Sequence, residues 1–239
     1  MRISRTIGGF RLDRILVGLL LAGCIILAAR AWLQDHPEHN PWSPLDLADP
    51  SGWATSRKLA ALRDDPTECR AVLERSGVQF AQLEPAGEGE CRRESRVKLA
   101  GSLFGPNAPV SSCAVAAGVA YWLQHGVEPA AEELLGSPVR RVEHFGTYSC
   151  RRLYNRDDGP WSEHATGNAI DIAGFVLEDG RRISVLRDWP GGGQNSAFLR
   201  RVRDDACNAF GTVLSPEYNA AHADHLHLDQ QGRAWGVCR

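Results

Sequence analysis

Ala169-Ile170-Asp171-Ile172-Ala173 and His225-Leu226-His227-Leu228-Asp229 are two short stretches that alternate in polarity. Successive side chains of a β-strand point to opposite faces. In the first stretch Ile170 and Ile172 share one face, and Asp171 lies on the other with Ala169 and Ala173. In the second, Leu226 and Leu228 share the face opposite His225, His227 and Asp229. Two strands of one sheet would thus bury isoleucine and leucine on one side and line a polar site on the other.

The surroundings of these stretches supply the rest of a domain. Arg181 to Leu186 reads as a hairpin partner of the first strand around Asp179-Gly180. Val139 to Cys150 reads as a strand bent at Gly146, and Arg96 to Leu103 as a weakly alternating one. Ser196 to Phe210 is the clearest amphipathic helix, with Phe198, Leu199, Val202, Ala206 and Phe210 at helical spacing. Ser111 or Ser112 can cap a helix from Cys113 to about His125, and Pro129 opens another that Gly136 stops. Thr55 to Leu62 and Pro66 to Ser76 look helical, with Thr55 and Asp65 as N-caps. Helices before and between antiparallel strands make an α+β domain, here a small antiparallel sheet with flanking helices.

At 239 residues, 43% hydrophobic and 23% charged, the chain has room for one good-sized globular domain and an appendage. The appendage is N-terminal. Ile15 to Ala29 is an unbroken apolar and small run, extended past Arg30 by Ala31-Trp32-Leu33, and four arginines precede it. It reads as a single transmembrane signal-anchor over 15–33 with residues 1–14 in the cytoplasm. A cleaved signal peptide and a lipoprotein box at Leu21-Ala22-Gly23-Cys24 are its rivals, and all three export the remainder. Residues 34–54, with Pro37, Pro41, Pro44 and Pro50, read as an extended spacer; Trp32 and Trp42 can sit at the membrane interface or pack on the domain. Residues 55–105 then form the first part of the domain and 106–239 its core. The first 33 residues carry about +4 of charge and leave about −6 for the rest, which argues against nucleic-acid binding by the folded part.

Cys24 lies in the apolar run, leaving Cys69, Cys91, Cys113, Cys150, Cys207 and Cys238. An even number without C-x-x-C spacing indicates disulfides in an oxidising compartment. Proximity along the chain suggests Cys69 with Cys91 and Cys207 with Cys238.

Four of the eight histidines fall in Ser162–Asp171 and His222–His227. His164 and Asp171, seven residues apart around Gly167, can converge on one ion from a loop and a strand, and His227 completes a His/Asp/His set. Three such ligands suit zinc and leave a position for water whose pKa falls toward neutrality. Asp229 is placed to orient a histidine from behind. His125 and His144 read as structural, and His36 and His39 as solvated.

Ser162-x-His164-x-x-Gly167-x-Ala169-x-Asp171 resembles the motif of zinc D,D-carboxypeptidases and D-alanyl-D-alanine dipeptidases. His222-x-x-His225-x-His227 is similar to the cluster of penicillin-insensitive murein endopeptidases. From about Trp42 to Arg239, with Asn40-Pro41-Trp42-Ser43-Pro44-Leu45-Asp46-Leu47 and Ser162 to Phe175 as its marks, the chain resembles bacterial extensin-like proteins. The resemblance implies a D,D-peptidase or hedgehog-like zinc fold with His164, Asp171 and His227 as ligands. It implies Asp224 as general base, whereas strand parity favours His225, and both stand. Arg151 occupies the place of a substrate- or oxyanion-binding arginine, with Arg152 as alternative, and His222 is a candidate for substrate binding or proton transfer. The implied protein is an inner-membrane-anchored periplasmic zinc metallopeptidase acting on peptidoglycan stem peptides or crosslinks. The alternative is a non-catalytic zinc-containing wall-binding or scaffold domain. Nothing in the sequence speaks to the oligomeric state.

Overall fold

Capping and glycine chemistry set the helices of the structure, a computed structural model that describes residues 9–232 and 236–239. Helix α1 covers Gly9–Asp35, and among the described residues it alone is long and apolar enough to cross a membrane. It contains the expected span; residues 1–8 of the expected cytoplasmic segment lie outside the described residues. Helices α2 (Thr55–Ala61) and α3 (Pro66–Arg75) follow. At the start of α3 the Asp65 carboxylate accepts from the amides of Thr67 and Glu68, and Pro66 sits where no amide is needed. Thr55, expected as a cap, lies inside α2 instead, where its hydroxyl accepts from the Gly52 amide.

Three short strands, β1 (Phe80–Gln82), β2 (Arg96–Leu99) and β3 (Val110–Ser112), form a small antiparallel sheet. Helix α4 (Cys113–Trp122) follows directly, capped by the Ser112 hydroxyl, which accepts from the Val115 amide. The helical path does not break before Pro129. A π turn over Leu123–Val127 carries it into α5 (Glu128–Leu135), and Gly136 ends it in the left-handed conformation, φ 64°. Gly126 lies in that turn where a Cβ would come within 2.8 Å of the Asp205 side chain.

The second sheet combines β4 (Val139–Gly146), β5 (Ala169–Leu177), β6 (Arg182–Ser184), β7 (Thr212–Leu214), β8 (Leu226–Asp229) and β9 (Val237–Cys238). Its order is β4-β5-β8-β7-β9, with β6 also on β5, and β9 runs parallel to β7. The expected single small antiparallel sheet is therefore corrected to a small antiparallel sheet plus a larger mixed one. The fold class remains α+β. Short α6 (Val185–Asp188) and the amphipathic α7 (Gln194–Ala206) complete the order.

One face of the large sheet carries Ile170, Ile172, Leu226 and Leu228, all fully buried. Helices α4, α5 and α7 contribute to the same core, where Phe175 meets Phe198 edge-on at 5.1 Å and the Trp122 indole donates to the Val202 carbonyl at 2.7 Å. Burying side chains of this size contributes about 1.5–3 kcal/mol each. Gly174 lets β6 approach, since a Cβ there would lie 2.3 Å from the Ile183 carbonyl oxygen.

Disulfides join Cys69 to Cys113, Cys91 to Cys150 and Cys207 to Cys238. The last matches expectation. The pairing of Cys69 with Cys91 is corrected: α3 packs against α4, which brings Cys69 to Cys113 across 44 residues of chain. The spacer is corrected too. Residues 34–54 are folded against the domain, with Leu45 and Leu47 buried, the Leu47 amide donating to the Ser76 hydroxyl and its carbonyl 2.7 Å from His125 Nε2.

Candidate metal centre

Ser162 and Gly167 build the turn that delivers the first histidine. The Ser162 hydroxyl accepts from the His164 amide at the head of a 3-10 turn over Glu163–Thr166. Gly167 closes that turn at φ 69°, a left-handed conformation that glycine adopts without a Cβ penalty. The chain then enters β5. Asn168 ties the turn to the core: its amide donates to Glu163 Oε2 at 2.6 Å, and its carbonyl oxygen accepts from the Ser112 hydroxyl at 2.9 Å.

Strand register supplies the other two groups. Asp171 in β5 stands directly opposite His227 in β8, while Ile170 faces Leu228 and Ile172 faces Leu226. Both polar side chains thus leave the same face of the sheet, opposite the core. His164 Nε2 lies 3.1 Å from Asp171 Oδ2 and 3.2 Å from His227 Nδ1, and His227 Nδ1 lies 2.9 Å from Asp171 Oδ1. One ligand atom from each of the three lies within 4.8 Å of the others, close enough to share one metal ion.

Hydrogen bonds behind the rings decide which nitrogens face inward. His164 Nδ1 lies 3.2 Å from the Thr147 carbonyl, which can only accept, so in the neutral ring Nδ1 carries the proton and Nε2 presents a lone pair. His227 Nε2 donates to the buried Asp229 carboxylate at 2.9 Å, so Nδ1 of the neutral ring presents a lone pair as well. Two imidazole lone pairs and a carboxylate then converge with no proton among them. Such a donor set is repulsive unless a cation sits in it, and it fits a divalent metal.

In the metal-free protein ring protons directed at Asp171 play that part. Burial pushes His227 down, but hydrogen bonds to Asp171 and Asp229 outweigh it and raise the ring to about 9. Burial likewise pushes the Asp171 carboxyl up, yet the hydrogen bonds from His164 and His227 hold it well below the usual carboxylate range. His222 is lowered to about 4 by burial, reinforced by the charges of His225 and His227, so it is neutral near pH 7.

Asp224 and His225 form a pair beside the ligands. The segment before β8 turns through a 3-10 turn at Ala220–His222, so His225 precedes the strand. Its Nδ1 lies 2.8 Å from Asp224 Oδ1, and its Nε2 faces the site 3.5 Å from Asp171 Oδ1. Asp224 is half-exposed and lies behind the ring. His222 Nδ1 lies 2.8 Å from Asn219 Oδ1.

His164, Asp171, His222, His225 and His227 line one cleft with about 180 Å³ of space for water, and Asp224 stands outside its lining. Arg151 is on its wall. Arg152 is engaged elsewhere, donating to the Gly159 carbonyl with its guanidinium 4.5 Å over the Trp161 ring. Several lining residues have no signal in the motifs. Tyr154, Trp161 and Tyr218 present aromatic surface to the cleft. Tyr154 holds a left-handed φ of 55°, an unfavourable conformation of the kind that gathers at functional sites. Thr147 acts through its backbone, which no side-chain pattern reveals. Asn219 was open to discovery as the cap of the turn that carries His222.

A family model described as the extensin-like protein C-terminus matches residues 67–239. No solved structure matches the chain.

Proposed function

The chain belongs to the extensin-like family, and on that premise we propose that it is a membrane-anchored envelope zinc metallopeptidase that hydrolyses an amide in peptidoglycan stem peptides or their crosslinks. The observation that carries the reading is the convergence of His164 Nε2, His227 Nδ1 and Asp171, with both tautomers fixed from behind and an Asp–His pair alongside. His164, Asp171 and His227 would hold the ion. Zinc bound there supplies Lewis-acid chemistry, acidifying water and polarising a carbonyl oxygen.

The chain's own residues do the proton work. His225 turns Nε2 toward the site, 3.5 Å from Asp171 Oδ1, while Asp224 accepts from Nδ1 and so leaves the Nε2 lone pair of the neutral ring for the base. It takes a proton from the attacking water as the C–O bond forms and returns it to the amine nitrogen as the C–N bond breaks. Asp224 is then the group that orients the base and stabilises its charged form. Arg151 offers a guanidinium to the developing oxyanion or to a substrate carboxylate. Neutral His222 is available as a hydrogen-bond partner for substrate beside the base.

A non-catalytic wall-binding domain would need the three ligands only. The His225–Asp224 pair favours catalysis. Crosslinked muropeptides incubated with zinc-loaded protein test this assignment: His225→Ala should slow hydrolysis by about 10²- to 10⁴-fold, and Asp224→Asn by less, with zinc content unchanged in both. Equal rates in wild type and His225→Ala would remove His225 from the mechanism.

A further inference from the structure

The N-terminal part of the chain carries a second feature that the cleft does not use. Helix α1 stands clear of the protein, with Ile15, Leu19, Leu20, Ile25, Ile26 and Leu27 each more than half exposed. Around its C-terminal end are three exposed tryptophans: Trp32 at 47%, Trp53 at 64% and Trp42 at 83%. The segment between them is not a loose tether.

A continuous chain of contacts runs from the last turn of α1 into the domain. The Asn40 side-chain amide donates to the Leu33 carbonyl at 3.2 Å. The Trp32 ring stacks on His39 at 5.3 Å, and His39 stacks on Trp53 at 6.2 Å, so His36 and His39 are not simply solvated. The Ala54 amide and Lys58 ammonium donate to the carbonyls of Glu38 and Pro37. Gly52 permits this closure, because a Cβ there would lie 2.2 Å from the Glu38 carbonyl oxygen. Leu45 and Leu47 then lock the segment onto α3 and His125.

We propose that the face formed by Trp32, Trp42 and Trp53 is seated in the headgroup zone of the bilayer that α1 crosses, so the domain is docked on the membrane surface. The proposal rests on α1 being an uncleaved span. The occupant follows from position: Trp32 lies in the last turns of the spanning helix, the His39 stack holds the Trp53 indole beside it, and hydrogen bonds through Asn40 tie the Trp42 backbone to Leu33. A surface so placed meets lipid headgroups before any other partner. Indole suits that zone, with an apolar body for the acyl boundary and an N–H for water and headgroups. The collar therefore fixes the height and orientation of the cleft above the membrane.

The full chain in nanodiscs of phosphatidylcholine and phosphatidylglycerol tests this, with bromine placed either near the headgroups or deep in the acyl chains. Tryptophan fluorescence should be quenched more by the shallow bromines than by the deep ones. In Trp42→Phe/Trp53→Phe the shallow quenching should fall to the level left by Trp32. Trp42→Phe alone, at the most exposed position, should show part of the same loss and serves if the double variant is destabilised. Shallow quenching equal in wild type and both variants overturns the docking. The intact mass of the membrane-extracted protein separates the two ideas: a chain cleaved after the apolar run ends the anchor reading and the docking with it, whereas an intact chain with unchanged quenching ends the docking alone.

Discussion

Asp229 acts from behind the three residues proposed to hold the metal. Its buried carboxylate accepts from His227 Nε2 and so selects the tautomer that aims Nδ1 at Asp171. Replacing Asp229 with alanine should lower zinc affinity by about 10- to 100-fold, read by competition with a chromophoric chelator; unchanged affinity would show the ring is held by other means. The His227 proton gives a second prediction. Its folded-state pKa is raised from 6.5 to about 9, so in the metal-free protein its stabilisation is complete below 6.5 and disappears as pH rises through about 9. Zinc must displace that proton, and its apparent affinity should climb about tenfold per pH unit until about pH 9 and then level off. Zinc titrations over a pH series would show it, and a pH-independent affinity would contradict it. The convergence of His164, Asp171 and His227 was legible because Asp171 and His227 follow strand parity and Gly167 marks the turn that carries His164. Both candidates for the base were legible as residues, but not their arrangement as a pair, since Ala223-Asp224-His225 lies before β8, where strand geometry does not set it.

Strands β5 and β8 carry the clearest sequence pattern because each is buried on one face and polar on the other, and the Asp171–His227 register follows from it. Helix α7 was equally plain in its apolar spacing, and Ser112 and Gly136 marked helix ends by cap chemistry. Strands β1, β3, β7 and β9 have only two or three residues each, too few for an alternation to register. The Cys69–Cys113 and Cys91–Cys150 bridges depend on tertiary packing, which chain proximity does not report. The second bridge holds the segment that leads through Arg151 to Ser162. By loop-closure entropy, removing it as Cys91→Ala/Cys150→Ala should cost about 4 kcal/mol for its 59-residue separation. Denaturant melts should show that loss, and an unchanged midpoint would mean the segment is held without the bridge.

The chain joins an apolar helix, a folded collar and an α+β domain whose cleft carries the converging ligands. The helix was legible from its run of apolar residues, and the domain from the alternation of its two central strands. The collar was not: Leu45 and Leu47 are two apolar residues among four prolines, and their burial depends on α3 and His125, which are distant in sequence. If His164, Asp171 and His227 hold a zinc ion that serves hydrolysis, mass spectrometry of crosslinked muropeptides incubated with zinc-reconstituted protein will read the reaction. Products that have gained one water per cleaved amide are expected with wild type and none with His164→Ala; muropeptides left unchanged by wild-type protein carrying stoichiometric zinc would rule out a hydrolytic role for the site.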